Sequence, residues 1–274
     1  MTEAPLPPTP DLAVRTPSNL RLRMIASVCM IAVASVALFL GGIALWLLAC
    51  VIALLMMAEW ADLQKADGRS KRIGQFALSV PLALMAPASL LIEVHYFFTL
   101  GLLAGAAFFV VIITRLPQLA LGIIYCGLPV LALVVMRGFP GGGVLTFWML
   151  ALVWACDIGA FFTGRTLGGP KLSPRLSPNK TWSGLIGGVA SATVLAIVLA
   201  VYAGLPAILA AATPLLALLS QGGDLFESAL KRRAGVKDSG NILPGHGGVL
   251  DRLDGLVPVA PVAVLLVLLN GALT

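Results

Sequence analysis

The chain has 274 residues, 59% of them hydrophobic and only 11% charged, with a mean hydropathy of +1.00. Soluble domains carry about a quarter charged residues, so this composition excludes an ordinary water-soluble domain and describes a chain largely dissolved in lipid. The net charge of +6 comes with no basic stretch interleaved with aromatics, which argues against nucleic acid as a partner and suits anionic lipid headgroups instead.

The first twenty residues, MTEAPLPPTPDLAVRTPSNL, are Pro-rich and polar and lack the apolar centre of a signal peptide. They predict a disordered cytoplasmic tail ending near residue 22. Beyond it the expectation is an all-α, polytopic integral membrane protein. A crossing helix needs about 20 apolar residues, and backbone groups in lipid must be satisfied within the segment, so the long apolar runs should be helices. The run Met24–Ala58 is too long for one crossing and is divided at Gly41-Gly42. Glu59 to Gly74 is predicted as a charged loop. Runs follow at Gln75–Leu91, Tyr96–Thr114, Leu116–Met136 and Gly143–Gly164, then a polar loop Arg165–Thr181, then Trp182–Ala203 and Pro206–Leu230. A second charged loop leads to Leu256–Asn270. The reading divides the chain into the tail, an N-terminal set of helices over 23–142, and a C-terminal set over 143–274 that carries the chemistry.

The basic residues support about nine crossings with the N-terminus and the charged loops in the cytoplasm. Threaded this way, Arg15, Arg21, Arg23, Lys65, Arg69, Lys71, Arg72, Arg115, Arg165, Lys171, Arg175, Lys180, Lys231, Arg232, Arg233, Lys237 and Arg252 fall on one side. Arg137 falls on the other. The expected location is a bacterial-type inner membrane. Cys29, Cys50, Cys126 and Cys156 lie in apolar runs without a CxxC pair or metal-ligand spacing and read as small buried hydrophobes.

Beyond Glu93 the chain has six acids: Asp157, Asp224, Glu227, Asp238, Asp251 and Asp254. All fall on the predicted cytoplasmic side. Asp157 lies inside a crossing, where an ionisable group costs about 2.5 kcal/mol or more. Asp224, Glu227, Ser228 and Lys231 share one helix face. Asp251 and Asp254, three apart, would share another if that segment begins the last helix. Ion pairs with neighbouring Lys and Arg are one reading of these acids. The other is a divalent-cation site, with Mg²⁺ the best match, because hard cations take carboxylate oxygens together with waters and substrate phosphates. The scarcity of His and the absence of a Cys cluster argue against zinc. Glycines at 168–169, 222–223, 245 and 247–248 offer backbone N–H groups to an anion. Carboxylates, basic groups and exposed amides are what phosphoryl or nucleotidyl transfer requires. No Walker motif is present.

These residues carry a resemblance. The run SALKRRAGVKDSGNILPGHGGVLDRLD from Ser228 resembles the signature of phosphatidate cytidylyltransferases, with Ser228, Lys231, Arg232, Lys237, Asp238, His246, Gly247, Gly248, Asp251, Arg252 and Asp254 in the matching places. GDLFES (Gly223, Asp224, Glu227) and Asp157, Ala160, Gly164, Arg165 and SPNKTWSG with Lys180 and Thr181 are similar to the family as well. Two positions depart from it: Phe161 stands where many members carry Tyr, and Ser183 where many carry Glu.

The resemblance implies the reaction CTP + phosphatidate → CDP-diacylglycerol + pyrophosphate, with Mg²⁺, at the lipid bilayer surface, and it implies a homodimer. On that basis Asp224 and Asp251 are expected to hold metal, with Asp254, Glu227 and Asp157 beside them. Lys180, Lys231, Arg232, Lys237 and Arg252 are expected to hold phosphates, and Thr181, Ser228, His246, Gly247 and Gly248 to line the substrate site. His246 has the alternative of bonding its own turn, Asp238 of capping one, and Lys231 and Arg232 of anchoring the helix at the membrane surface. A membrane CTP-dependent polyprenol or phytol kinase and an ion-coupled transporter are the rival functions. Acids crowded on one face disfavour the transporter.

Overall fold

A computed structural model describes residues 20–87, 96–243 and 247–273. Most of the predicted tail, the turn at Glu93–His95 and the site candidate His246 lie outside the described residues. The elements run α1 (Leu20–Leu40), α2 (Gly42–Leu63), α3 (Gly68–Leu84), α4 (Tyr96–Thr114), α5 (Pro117–Gly138), α6 (Gly142–Leu167), β1 (Lys171–Ser173), β2 (Ser177–Thr181), α7 (Trp182–Ala203), α8 (Ala207–Ala234), α9 (Leu250–Leu253) and α10 (Leu256–Leu273). By length and composition α2, α5, α6, α7 and α8 are able to cross a membrane, and shorter apolar helical stretches lie at Val28–Leu40, Phe98–Thr114 and Leu256–Gly271. The chain is an all-α, multi-pass membrane protein. Its outer surface is apolar, with Phe39, Phe108, Val201 and Ile186 exposed, which a helix bounded by lipid can afford and one bounded by water cannot.

Gly41 makes the turn between α1 and α2 at φ 63, a conformation that a side chain would strain. Arg137, at the end of α5, packs against this turn: a methyl on Gly41 would stand 3.0 Å from its guanidinium. Arg137, the one basic residue predicted for the far side, thus sits with the first interhelical turn.

Tryptophans tie the helices by their N–H groups. Trp60 Nε1 donates to Gln118 O at 2.8 Å, joining α2 to α5, and Trp148 Nε1 donates to Thr213 Oγ1 at 3.0 Å, joining α6 to α8. α6 and α7 approach most closely. A methyl on Gly188 would lie 2.7 Å from Cys156 O, below any real contact, so small residues let the two backbones touch. That contact brings Asp157 on α6 beside the segment that leads into α7.

Two predicted loops are more ordered than their charge suggests. In place of the loop Glu59–Gly74, α2 continues to Leu63 and α3 starts at Gly68. Asp67 caps α3 by accepting from the N–H groups of Arg69 and Ser70 at 3.2 and 3.4 Å, and Lys71 pairs with Asp62 at 2.6 Å. Hydropathy ends at a charge, whereas a helix ends where its caps are. The loop Arg165–Thr181 contains the antiparallel hairpin β1–β2, paired from Lys171↔Thr181 to Ser173↔Ser177. Among the cysteines, Cys126 and Cys156 are buried, Cys50 is half-buried, and Cys29 is exposed on α1.

Candidate active site

The site is built at the ends of α6 and α8, the hairpin and the segment before α10. Thr181 closes β2 and caps α7, its hydroxyl accepting from Gly184 N–H at 3.1 Å. That hydroxyl, expected in the substrate site, thus serves the helix. Lys180, one residue earlier, is set toward α8. Its ammonium forms an ion pair with Asp224 and donates to Gln221 Oε1 at 2.9 Å. Gln221 in turn donates through Nε2 to Asp157 Oδ1 at 3.0 Å. One amide therefore joins a cation and an anion from two other elements. It fixes the intramembrane Asp157, whose isolated charge would be costly in this setting.

Lys231, two turns beyond Asp224 on α8, forms the second cluster. Its ammonium lies 2.6 Å from Asp251 Oδ1 and 3.4 Å from Glu227 Oε2, with both carboxylates nearly or wholly buried. Asp251 is gripped on its other oxygen by three donors: Ser239 N–H at 2.9 Å, Ser239 Oγ at 2.9 Å and Gly248 N–H at 2.8 Å. Burial alone would raise the Asp251 pKa. The hydrogen bonds from Lys231, Gly248 and Ser239 outweigh burial and hold its carboxyl below the usual range.

Asp254 stands between the clusters. Its Oδ1 accepts from Gly255 N–H at 2.8 Å, its carboxyl reaches that of Glu227, and the charges of Asp224 and Asp157 act on it. Burial first, then the charge of Asp224, push it up to about 6. The segment that carries Asp251 and Asp254 does not begin the last helix, which is the condition on which they were expected to share a face. Asp251 lies within the four-residue α9 and Asp254 follows its last residue, and α9 ends before α10 begins. Asp251 reaches both Lys231 of α8 and the loop amides, and Asp254 reaches Glu227 of α8.

The remaining candidates are less enclosed. Ser228 is half-buried on α8, and Arg232, Lys237 and Arg252 are exposed. Gly222 and Gly223 lie inside α8, where their N–H groups belong to the helix and are not open to an anion. A methyl on Gly223 would collide with Asp254 O, so this glycine brings α8 against the acid-bearing segment. Ser183 donates to Gly168 O, and Phe161 is an exposed ring edge-on to Phe162.

Three residues in the site had no role in the sequence reading. Gln221 is one and Ser239, which holds Asp251, is the second. The third is Glu59, at 1% exposure, whose carboxylate accepts from Val249 N–H at 2.9 Å, Leu250 N–H at 2.8 Å and Ser239 Oγ at 3.1 Å.

Among the described residues, no three His, Cys, Asp or Glu side chains are arranged to hold a metal by themselves. A hard cation that shares its shell with substrate phosphates and waters needs only one or two carboxylates. The donor set fits such an ion: Glu227 Oε1 is buried without a donor, and two carboxyls in contact need a proton or a cation between them.

A bundle of membrane helices bearing paired Lys–carboxylate clusters offers charged groups of the kind that chemistry on phosphates uses. Comparison makes the class specific. Residues 21–269 match the model of the cytidylyltransferase family, and the chain belongs to that family, a family of nucleotidyltransferases. It is 39% identical over 254 residues to a phosphatidate cytidylyltransferase of Brucella suis biovar 1 (strain 1330), covering 89% of this chain and 91% of the relative. A phosphatidate cytidylyltransferase of Pseudomonas aeruginosa is 48% identical over 136 residues, 47% of this chain and 49% of that one. One from Rickettsia bellii is 36% identical over 178 residues, 58% of this chain and 71% of that one.

Proposed function

We propose that this chain transfers the cytidylyl group of CTP to phosphatidate, forming CDP-diacylglycerol and pyrophosphate, from the cytoplasmic side of an inner membrane. The observation that carries the reading is the convergence of Lys180, Asp224, Gln221, Asp157, Lys231, Glu227, Asp251 and Asp254 from distant segments, in a chain 39% identical to a protein of that name.

The phosphate monoester of phosphatidate is already anionic and needs no strong base to attack the α-phosphorus of CTP. Catalysis is then positioning and charge stabilisation. Lys180 and Lys231 supply the two enclosed ammonium groups, and Arg232, Lys237 and Arg252 supply exposed cations at the rim. Asp224, Asp254 and Glu227, with Asp251 and Asp157 beside them, are the residues that would hold Mg²⁺. When bound, such an ion would supply positive charge to offset the negative charge developing on the departing pyrophosphate. Gln221 keeps Asp157 and Lys180 in register while the phosphates enter.

The lipid half of the reading is supported by an apolar cavity of about 610 Å³ between α1, α2, α5, α6 and α10. Ala49, Met56, Leu133, Phe147, Leu253 and Leu256 are among its walls, and Leu253 adjoins Asp254. An apolar space of this size suits hydrocarbon chains.

The test is turnover of purified protein in mixed micelles. Phosphatidate with CTP and Mg²⁺ should yield CDP-diacylglycerol and pyrophosphate in equal amounts, and chelation should stop both. Phosphorylation of a polyprenol with release of CDP would instead establish the kinase.

A further inference from the structure

We propose that Glu59 is a positioning residue: a carboxylate on α2 that holds the backbone of the loop before α9 and, through the Ser239 hydroxyl, sets the place of Asp251. The inference rests on the nucleotidyl-transfer reading of the site and goes beyond it by giving the N-terminal helices a part in catalysis.

Glu59 lies 190 and 191 residues from the two amides it binds, Val249 N–H at 2.9 Å on Oε1 and Leu250 N–H at 2.8 Å on Oε2. Ser239 Oγ is 3.1 Å from Glu59 Oε2 and 2.9 Å from Asp251 Oδ2. One hydroxyl therefore spans both carboxylates, and its single proton serves one of them at a time. Asp251 Oδ2 takes its remaining donors, Ser239 N–H and Gly248 N–H, from the same loop. Moving the loop moves Asp251, and with it the ammonium of Lys231.

The contact is too close for water to intervene. A methyl on Gly248 would stand 2.6 Å from Glu59 Oε2, and one on Gly240 2.5 Å from Oε1. Among the described residues no lysine or arginine pairs with Glu59. A buried, unpaired carboxylate is destabilising unless amides and hydroxyls satisfy it. Binding Glu59 to loop amides ties its charge to the geometry of the site.

The test compares the full-length protein with Glu59→Gln, Ser239→Ala and the double variant. Glutamine keeps the shape but offers one acceptor where two are needed, so one loop amide loses its partner. Glu59→Gln should lower kcat about tenfold to hundredfold, the range for residues that orient a ligating group, with the KM for CTP changed less than about twofold. Amide hydrogen exchange, read without substrate, should rise at least about tenfold at Val249 and Leu250 and stay unchanged in α5 and α6. Ser239→Ala should lower kcat less, and the two losses should not multiply in the double variant, because both act along one path.

Wild-type kcat or unchanged exchange at Val249 and Leu250 in Glu59→Gln would overturn the proposal. Exchange raised equally through α5 and α6 would also overturn it, by making Glu59 a stabiliser of the whole bundle. Where Glu59→Gln does not accumulate, Ser239→Ala carries the same readouts, and normal kcat in that variant would refute the coupling. The exchange measurement fails only with this proposal, whereas failure of the functional reading appears as no CMP transfer by the unsubstituted protein.

Discussion

Replacing Lys231 with methionine keeps the aliphatic stem and deletes the ammonium that two buried carboxylates share. The ammonium lies 2.6 Å from Asp251 and 3.4 Å from Glu227, whose side chains are 8% and 0% exposed. Removing one partner of such a cluster leaves charge uncompensated, at a cost of about 3–5 kcal/mol. By the scaling for soluble chains of similar size, about 2–4 °C per kcal/mol, the thermal midpoint in detergent should fall by roughly 6 °C or more. The second half of the prediction separates stability from chemistry. Lys231→Met with Asp251→Asn removes a charge of each sign and should recover most of the lost stability, while turnover stays absent in both variants. The assay pairs tryptophan-monitored thermal unfolding with CMP incorporation into lipid. A Lys231→Met protein as stable as the parent would refute the reasoning, and so would a double variant less stable than the single one.

Asp224→Asn and Asp251→Asn should each abolish turnover, by about a hundredfold or more, in protein that still inserts and elutes from gel filtration as the parent does; near-normal rates would remove those carboxylates from the site. Gln221→Ala deletes hydrogen bonds to a lysine and an aspartate, each worth about 1.5–3 kcal/mol. It should cut kcat/KM at least about tenfold, measured by steady-state kinetics with CTP varied. Asp254 is raised to about 6, so its carboxylate form is lost as pH falls through that value. The Mg²⁺ concentration giving half-maximal rate should therefore climb between pH 7 and pH 5, and the climb should be shallower in Asp254→Asn; equal slopes would exclude Asp254 from cation binding.

Much of the helical frame was legible because lipid imposes a simple rule on sequence. The run Trp182–Ala203 was bounded by polar residues at one end and Gly204 at the other, and α7 has those bounds. The acids were legible because charge inside an apolar helix needs a reason, and Asp157, Asp224 and Glu227 do gather near Asp254. The hairpin β1–β2 left no trace, since strands of three and five residues are too short to show an alternating pattern. Glu59 was assigned to a loop because it ends an apolar run. Its signal was present: it is followed by Trp60 and Ala61, so hydropathy resumes after it, as it would around an acid buried within a helix. Gln221 was masked by the charged residues after it, although a polar amide in an apolar helix also asks for a partner. That Asp251 sits in a separate short helix was hidden because α9 is too short for helix periodicity to reveal.

The central claim is that charged groups from distant segments meet to transfer a nucleotidyl group to a lipid phosphate. CTP labelled on its α-phosphorus, compared with CTP labelled on its γ-phosphorus, tests it most directly in reconstituted protein with phosphatidate. The account predicts that only the α-label enters the lipid and that the γ-label leaves as pyrophosphate. A γ-label found in the lipid, or neither label in a folded and Mg²⁺-supplied protein, would contradict it.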